Sequence, residues 1–292
     1  MNAVLCAILI AHLGATSCPL PDPSAGTALD YTDMQGYVAM EGDPLFARFA
    51  PIILVENHTD TLNRVGTPAA RYAADGSEEV YVDPSQPTYY VQQIEWKSDA
   101  HTYTNLVYRV HFEASKDNDL SRNGGKGENV GLLVVVTLNE DGKPCWINTV
   151  GTCGCFHAIL PTSFLPEAAY PKGWDTKQQT VYGEHLPGLV AYPAEFDETV
   201  RPVVFVRKGS HRVADLQVAS IDSVKEKYTL DAAAMAPIEQ LKHLPLGDGE
   251  TSFYYEEGDM KGLVKGAYKR GEALLLGAVM RDGRIGQDRI YA

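Results

Sequence analysis

The sequence predicts a mainly β fold: a β-sandwich with long loops and a few short helices. Two observations lead there. The 292-residue chain spreads 26 Gly and 17 Pro along its length, and short apolar or alternating runs lie between these breakers. Helical patterns rarely alternate with strands, which argues against a parallel α/β sheet.

Taken in order, Pro51-Ile52-Ile53-Leu54-Val55 is the first buried strand, and Glu79–Val82 and Thr88–Ile94 are the next two. Leu106–Phe112 alternates, so Tyr108 and Val110 share one face while Arg109 and His111 share the other, a polar sheet face or cleft wall. Gly131–Leu138 is apolar on both faces and belongs at the centre of a sheet. Asn139–Lys143 carries the Asp-Gly signal of a hairpin turn, and Pro144–Thr149 returns from it. Asp117–Asn129 is polar and reads as a mobile loop. Pro161–Tyr192 reads as a long ordered excursion, Pro202–Val206 as a buried strand and Leu216–Ile221 as another. Ala232–His243 has a helical look, with Asp231 as N-cap and Pro237 as an interruption. Ala273–Met280 is a buried helix or strand, which periodicity does not decide. Residues 31–292 thus form a single β-rich domain, with room for a small α+β appendage from about residue 223.

The first 17 residues read as a signal peptide. Val4–Leu13 is an apolar run, shorter than the roughly 20 residues that span a bilayer and suited to a leader's central region. No Lys or Arg precedes it. Ala15-Thr16-Ser17-Cys18 resembles the lipobox of bacterial lipoproteins, with Ala15 where Leu is usual. That resemblance implies a lipid on Cys18 and a membrane partner through this anchor. Cleavage after Ala15 or Ser17, giving a soluble secreted protein, and a buried helix in a cytoplasmic protein are the alternatives. The Pro-rich stretch after Cys18 makes residues 18–30 a tether. The expected location is extracytoplasmic, in the cell envelope, either periplasmic or at the outer surface.

Formal net charge is −13, from 38 acidic and 25 basic residues. A surface of that sign argues against nucleic acid as a partner. It leaves a protein or small-molecule ligand unspecified.

The densest chemical signal is Cys153-Gly154-Cys155-Phe156-His157, with Cys145 just upstream. On an extended backbone the three alternating side chains share a face. Cys153, Cys155, His157 and Cys145 are the candidate metal ligands, and thiolate plus imidazole suits zinc or copper. The spacing is C-x-C rather than the C-x2–4-C of zinc sites. With Cys6 in the leader and Cys18 lipidated, three thiols remain. An odd count suggests one bridge and one free thiol, or a metal site.

Three further candidates concern histidine. Ser210 and His211 follow a buried strand and a Gly, where a strand exits into a loop. Two such neighbours do not by themselves make a hydrolase triad, which draws on distant positions. His111 is the second candidate. The third is Glu56, His58 and Asp60, which share one face if extended and otherwise form a solvated loop. Nucleophile-elbow, phosphate-loop, dinucleotide and H-E-x-x-H motifs are absent from the sequence.

Arg201-Pro202-Val203-Val204-Phe205-Val206-Arg207-Lys208-Gly209-Ser210-His211 resembles a Pro-Val-Val-Tyr-Val-Ala-x-Gly-Ser-His run of the vacuolar-sorting-related family. Those proteins are loosely similar to the necrosis-inducing NPP-type secreted proteins. The order of central strand, acidic-Gly turn, Pro and His-bearing segment is similar too. The resemblance implies a β-sandwich, with His157 and His211 near one edge. The family's Asp-Trp-Glu segment is missing, since Glu128–Leu133 stands in its place. The resemblance therefore implies a fold more than an activity. The function expected is noncatalytic binding or structural; the alternative is an enzyme using Cys153, Cys155, His157 and His211 for thiol-redox or metal-dependent chemistry.

Overall fold

The structure is a computed structural model that describes residues 28–97, 101–115, 127–152, 154, 156–258 and 260–267. The leader, Cys18, most of the tether, Cys153, Cys155, most of the Asp117–Asn129 loop and the Ala273–Met280 run lie outside the described residues.

The chain starts with β1 (Met34–Val38), helix α1 (Pro44–Phe49) and β2 (Ile52–Glu56). Pro44 suits the first helical position, and Asp43 Oδ1 accepts from Leu45 N at 2.8 Å as the cap. A hairpin follows, β3 (Thr67–Tyr72) and β4 (Glu78–Asp83), and then a meander of β5 (Thr88–Lys97), β6 (Thr102–His111), β7 (Gly131–Leu138), β8 (Pro144–Gly151) and β9 (Ala158–Pro161). The β7–β8 turn closes as expected: Gly142 N donates to Asn139 O, and Gly142 takes a φ of 68° that glycine adopts without strain. The excursion contains a second hairpin, β10 (Gln178–Val181) and β11 (Glu184–Pro187). After it come β12 (Val200–Val206), β13 (Val213–Ser220), α2 (Ile221–Lys225), β14 (Thr229–Ala232), β15 (Ala234–Pro237), β16 (Leu244–Leu246) and β17 (Gly249–Thr251).

These strands make a β-sandwich. One sheet runs β13-β12-β2-β1-β14 and the other β15-β5-β6-β7-β8-β9. Their inner faces share one core, with Tyr37, Ile53, Val204 and Leu216 meeting Tyr89, Leu106, Val134 and Ile147. Outside the first sheet, Ile221 and Val224 of α2 cover Ile52, Leu54 and Phe205. Outside the second, the chain from Ile238 to Ala267 covers Tyr90 together with Val80 and Val82 of β4. This is why both faces of β2 and β7 are buried and both read as continuous apolar runs.

The expected helix at Ala232–His243 is corrected. Residues 229–237 are two short strands: β14 pairs with β1 and β15 with β5, both parallel. Only Ile238–Lys242 coils, as a 3-10 turn beginning after Pro237. Pro237 has no N–H for an α-helical ladder, and the open edges of both sheets offered backbone partners instead. Among the described residues, no helix is long and apolar enough to cross a membrane.

The sheets are also joined by a polar contact. The Tyr89 hydroxyl, fully buried on β5, donates to Tyr37 O of β1 at 2.8 Å and lies 3.1 Å from Pro51 O. Tyr89→Phe leaves those carbonyls without that donor. It is expected to cost about 1–2 kcal/mol in urea denaturation; an unchanged midpoint contradicts the inter-sheet role.

Candidate functional site

The polar heart of the molecule forms where two parallel strands end together. Val206 of β12 pairs with Val55 of β2, so the next residues, Arg207 and Glu56, emerge side by side. Arg207 Nη1 lies 3.4 Å from Glu56 Oε1. Arg207 also grips Glu184 of β11 with two parallel hydrogen bonds, Nε to Oε1 and Nη2 to Oε2, each 2.9 Å. Arg212 Nη2 reaches Glu184 Oε1 at 2.6 Å. All four side chains are buried. Burial works against the Arg207 charge, but hydrogen bonding to Glu184 and the nearby carboxylates of Glu184 and Glu56 hold its pKa above the ordinary value. Glu56 further accepts from Asp30 N and Lys208 N, at 3.0 and 3.2 Å.

The Ser210 and His211 turn is built on this cluster. Arg207 N donates to Arg212 O and His211 N to Arg207 O, with Gly209 at φ 73° and His211 at φ 52°. Gly209 N donates to Asn63 Oδ1 at 2.8 Å. The His211 ring stacks on Phe112, centroids 4.0 Å apart and 4° between planes, and Nε2 lies 2.9 Å from Leu62 O. A carbonyl only accepts, so Nε2 carries the proton in that contact. His211 is buried, and the Ser210 Oγ makes no hydrogen bond among the described residues. The pair braces the loop that follows β12.

Glu56, His58 and Asp60 do not share a face. Asn57 turns the chain at φ 54°. Glu56 points into the ion cluster, His58 Nδ1 meets Asp33 Oδ1 at 3.2 Å, and Asp60 Oδ1 accepts from Leu62 N as a turn cap.

His111 lies on the Arg109 face, as the alternation requires, but that face is no cleft wall. Both residues are fully buried, because the 238–267 segment packs over them and sets Phe253 edge-on to the imidazole at 4.9 Å. Arg109 Nε donates to His111 Nε2 at 2.7 Å. Burial, reinforced by the Arg109 charge, lowers the imidazole pKa well below its usual value.

Cys145 is a free, buried thiol. It occupies the irregularity where the β7–β8 register shifts, and Sγ donates to Thr137 O at 3.3 Å. Burial pushes the thiol up to about 12, so it stays protonated and inert. His157 leads into β9, half-buried, with its pKa lowered by burial. Cys153 and Cys155 lie outside the described residues. Among the described residues, no three His, Cys, Asp or Glu side chains gather to hold a metal ion.

The feature that sequence reasoning missed is a cleft of about 470 Å³ between α1 and the β15–β5 edge of the second sheet. Its walls include Phe46, Val91 and Met235, its polar groups Asp43, Gln93 and Glu239. Gly42 forms part of the wall at φ 123°, where a Cβ would lie 3.2 Å from Met235 Sδ. The one sequence trace of it is Gly42-Asp43-Pro44, a turn followed by a helix start.

Two tests follow from the buried charges. Glu184→Gln leaves Arg207 and Arg212 without their shared carboxylate and is expected to cost about 3 kcal/mol or more in denaturant unfolding. The exposed Arg71–Glu79 pair (2.7 Å) serves as the control, since Glu79→Gln there should leave the unfolding midpoint nearly unchanged. Equal losses contradict the assignment. His111 is held neutral when folded but titrates near its ordinary value when unfolded, so the unfolded chain binds the extra proton below about pH 6.5. Its contribution is complete above that pH and is lost as pH falls. Between pH 6 and 5, wild type should lose about 1 kcal/mol more stability than His111→Gln; parallel stability curves contradict it.

No family model, no curated protein and no solved structure matches this chain.

Proposed function

We propose that this is a noncatalytic binding protein of the cell envelope, tethered through a lipid on Cys18, which holds a small ligand in the cleft beside α1. One observation supports this most. The reactive groups described above are committed to the folded interior: the ion cluster, the His111–Arg109 pair, the stacked His211 and the protonated Cys145 thiol. The cleft beside α1, by contrast, is lined among the described residues by no Cys, His, Ser, Thr, Tyr or Lys, its ionisable groups being Asp43 and Glu239. Its size is that of a small-molecule site. The Cys153–His157 segment, with Cys145 turned into the sheet, is a separate bridge or zinc or copper site in this proposal.

Two measurements test the reading. Intact mass of the native protein, with and without reductant and alkylation, should give a chain beginning at lipid-modified Cys18; a chain retaining Met1 with every thiol reduced overturns the envelope placement. A fragment screen by methyl NMR of methionine-labelled full chain should shift Met235 beside the cleft and leave buried Met34 unmoved. The response should survive Ser210→Ala. Turnover of a fragment that is abolished by Ser210→Ala overturns the noncatalytic reading.

A further inference from the structure

The cleft has a charge pattern as well as a shape, and resting on the binding reading above, we propose that its ligand is an organic cation with an apolar body. Two carboxylates, Asp43 and Glu239, belong to the lining, and among the described residues no Lys, Arg or His does. The whole chain adds a formal charge of −13, which draws cations and repels anions on approach. The Asp43 carboxylate keeps a role for itself: Oδ1 caps α1 through Leu45 N at 2.8 Å and Phe46 N at 3.4 Å. Asp43 nevertheless lines the cleft and keeps its negative charge as a cap, and an ammonium group bound there would answer it.

The rest of the wall suits the apolar end. Phe46, Val91, Met235 and Pro237 present ring, branched and thioether surface. Methionine adapts to irregular ligands, and an aromatic face attracts a cation at short range. The Phe46 ring is fixed edge-on against Tyr108, centroids 5.9 Å apart at 87°. Its backbone is held too, because Tyr108 Oη donates to Phe46 O at 2.8 Å. This side of the cleft is therefore preorganised. Gln93, on the same face of β5 as Val91, adds an amide whose oxygen would accept an N–H from the ligand.

Three phenyl probes of similar size separate charge from shape: 2-phenylethylamine, 2-phenylethanol and phenylacetate. Each is titrated into the full chain while the Met235 methyl resonance, assigned with Met235→Leu, is followed. The amine should shift it saturably and bind roughly tenfold more tightly than the alcohol, a difference of about 1.4 kcal/mol. Phenylacetate should be weaker than both. Asp43→Asn with Glu239→Gln should bring the amine to the alcohol's level, and asparagine preserves the helix cap while removing the charge. If alcohol or acid binds as tightly as the amine, the cation proposal falls and the binding reading stands. If none of the three moves Met235, both fall.

Discussion

Glu184 sits buried between two guanidinium groups, and the arrangement of the chain around the sandwich depends on that contact. A lone carboxylate in the interior would be prohibitive to desolvate, so Glu184 is tenable only where Arg207 and Arg212 already converge. Arg207 in turn shares its charge with Glu56, and Glu56 takes the backbone N–H of Asp30. One network thus ties the segment entering the domain, the end of β2, the turn after β12 and the hairpin of the excursion. Buried ion pairs add little net stability over an apolar substitute, yet breaking one is costly. The network therefore fixes where these four pieces lie more than how firmly the whole folds.

The two sheets sort the remaining chemistry by depth. Their shared core occupies the inner faces, and each outer face is covered in part by later chain. Histidines that would be surface groups on a bare sheet become interior ones: His111 under the 238–267 segment, His211 against Phe112. The concavity arises elsewhere, where a short helix bridges β1 to β2 and the edge strand β15 fails to close against it. Gly42 keeps that gap open, since a side chain there would meet Met235.

Much of the sandwich was legible because strand burial writes itself into pattern. Gly131–Val136 is an unbroken apolar run because β6 and β8 flank it and both faces are covered. Asn139–Lys143 is a turn because Asp-Gly is one. The site was far less legible. Ala232–His243 looked helical by composition, but the sheets' open edges captured its first residues as strand. Glu56, His58 and Asp60 would share one face only on an extended backbone, and a single left-handed residue, Asn57, sends them three ways. The cleft joins residues 42–46 to 91–93 and 235–239, and no local pattern links segments so far apart.

What the sequence determined by itself was local: strands from alternation and apolar runs, turns from Gly, Pro and Asp, and an acidic surface from simple counting. These follow from steric and solvation preferences that act within a few residues. Only the tertiary structure decided which acids face which bases, which histidines lose their water, and where an open cavity survives. Those outcomes depend on sheet order and on parallel pairings across more than a hundred residues, where desolvation and charge are settled by neighbours that the chain's own order does not name.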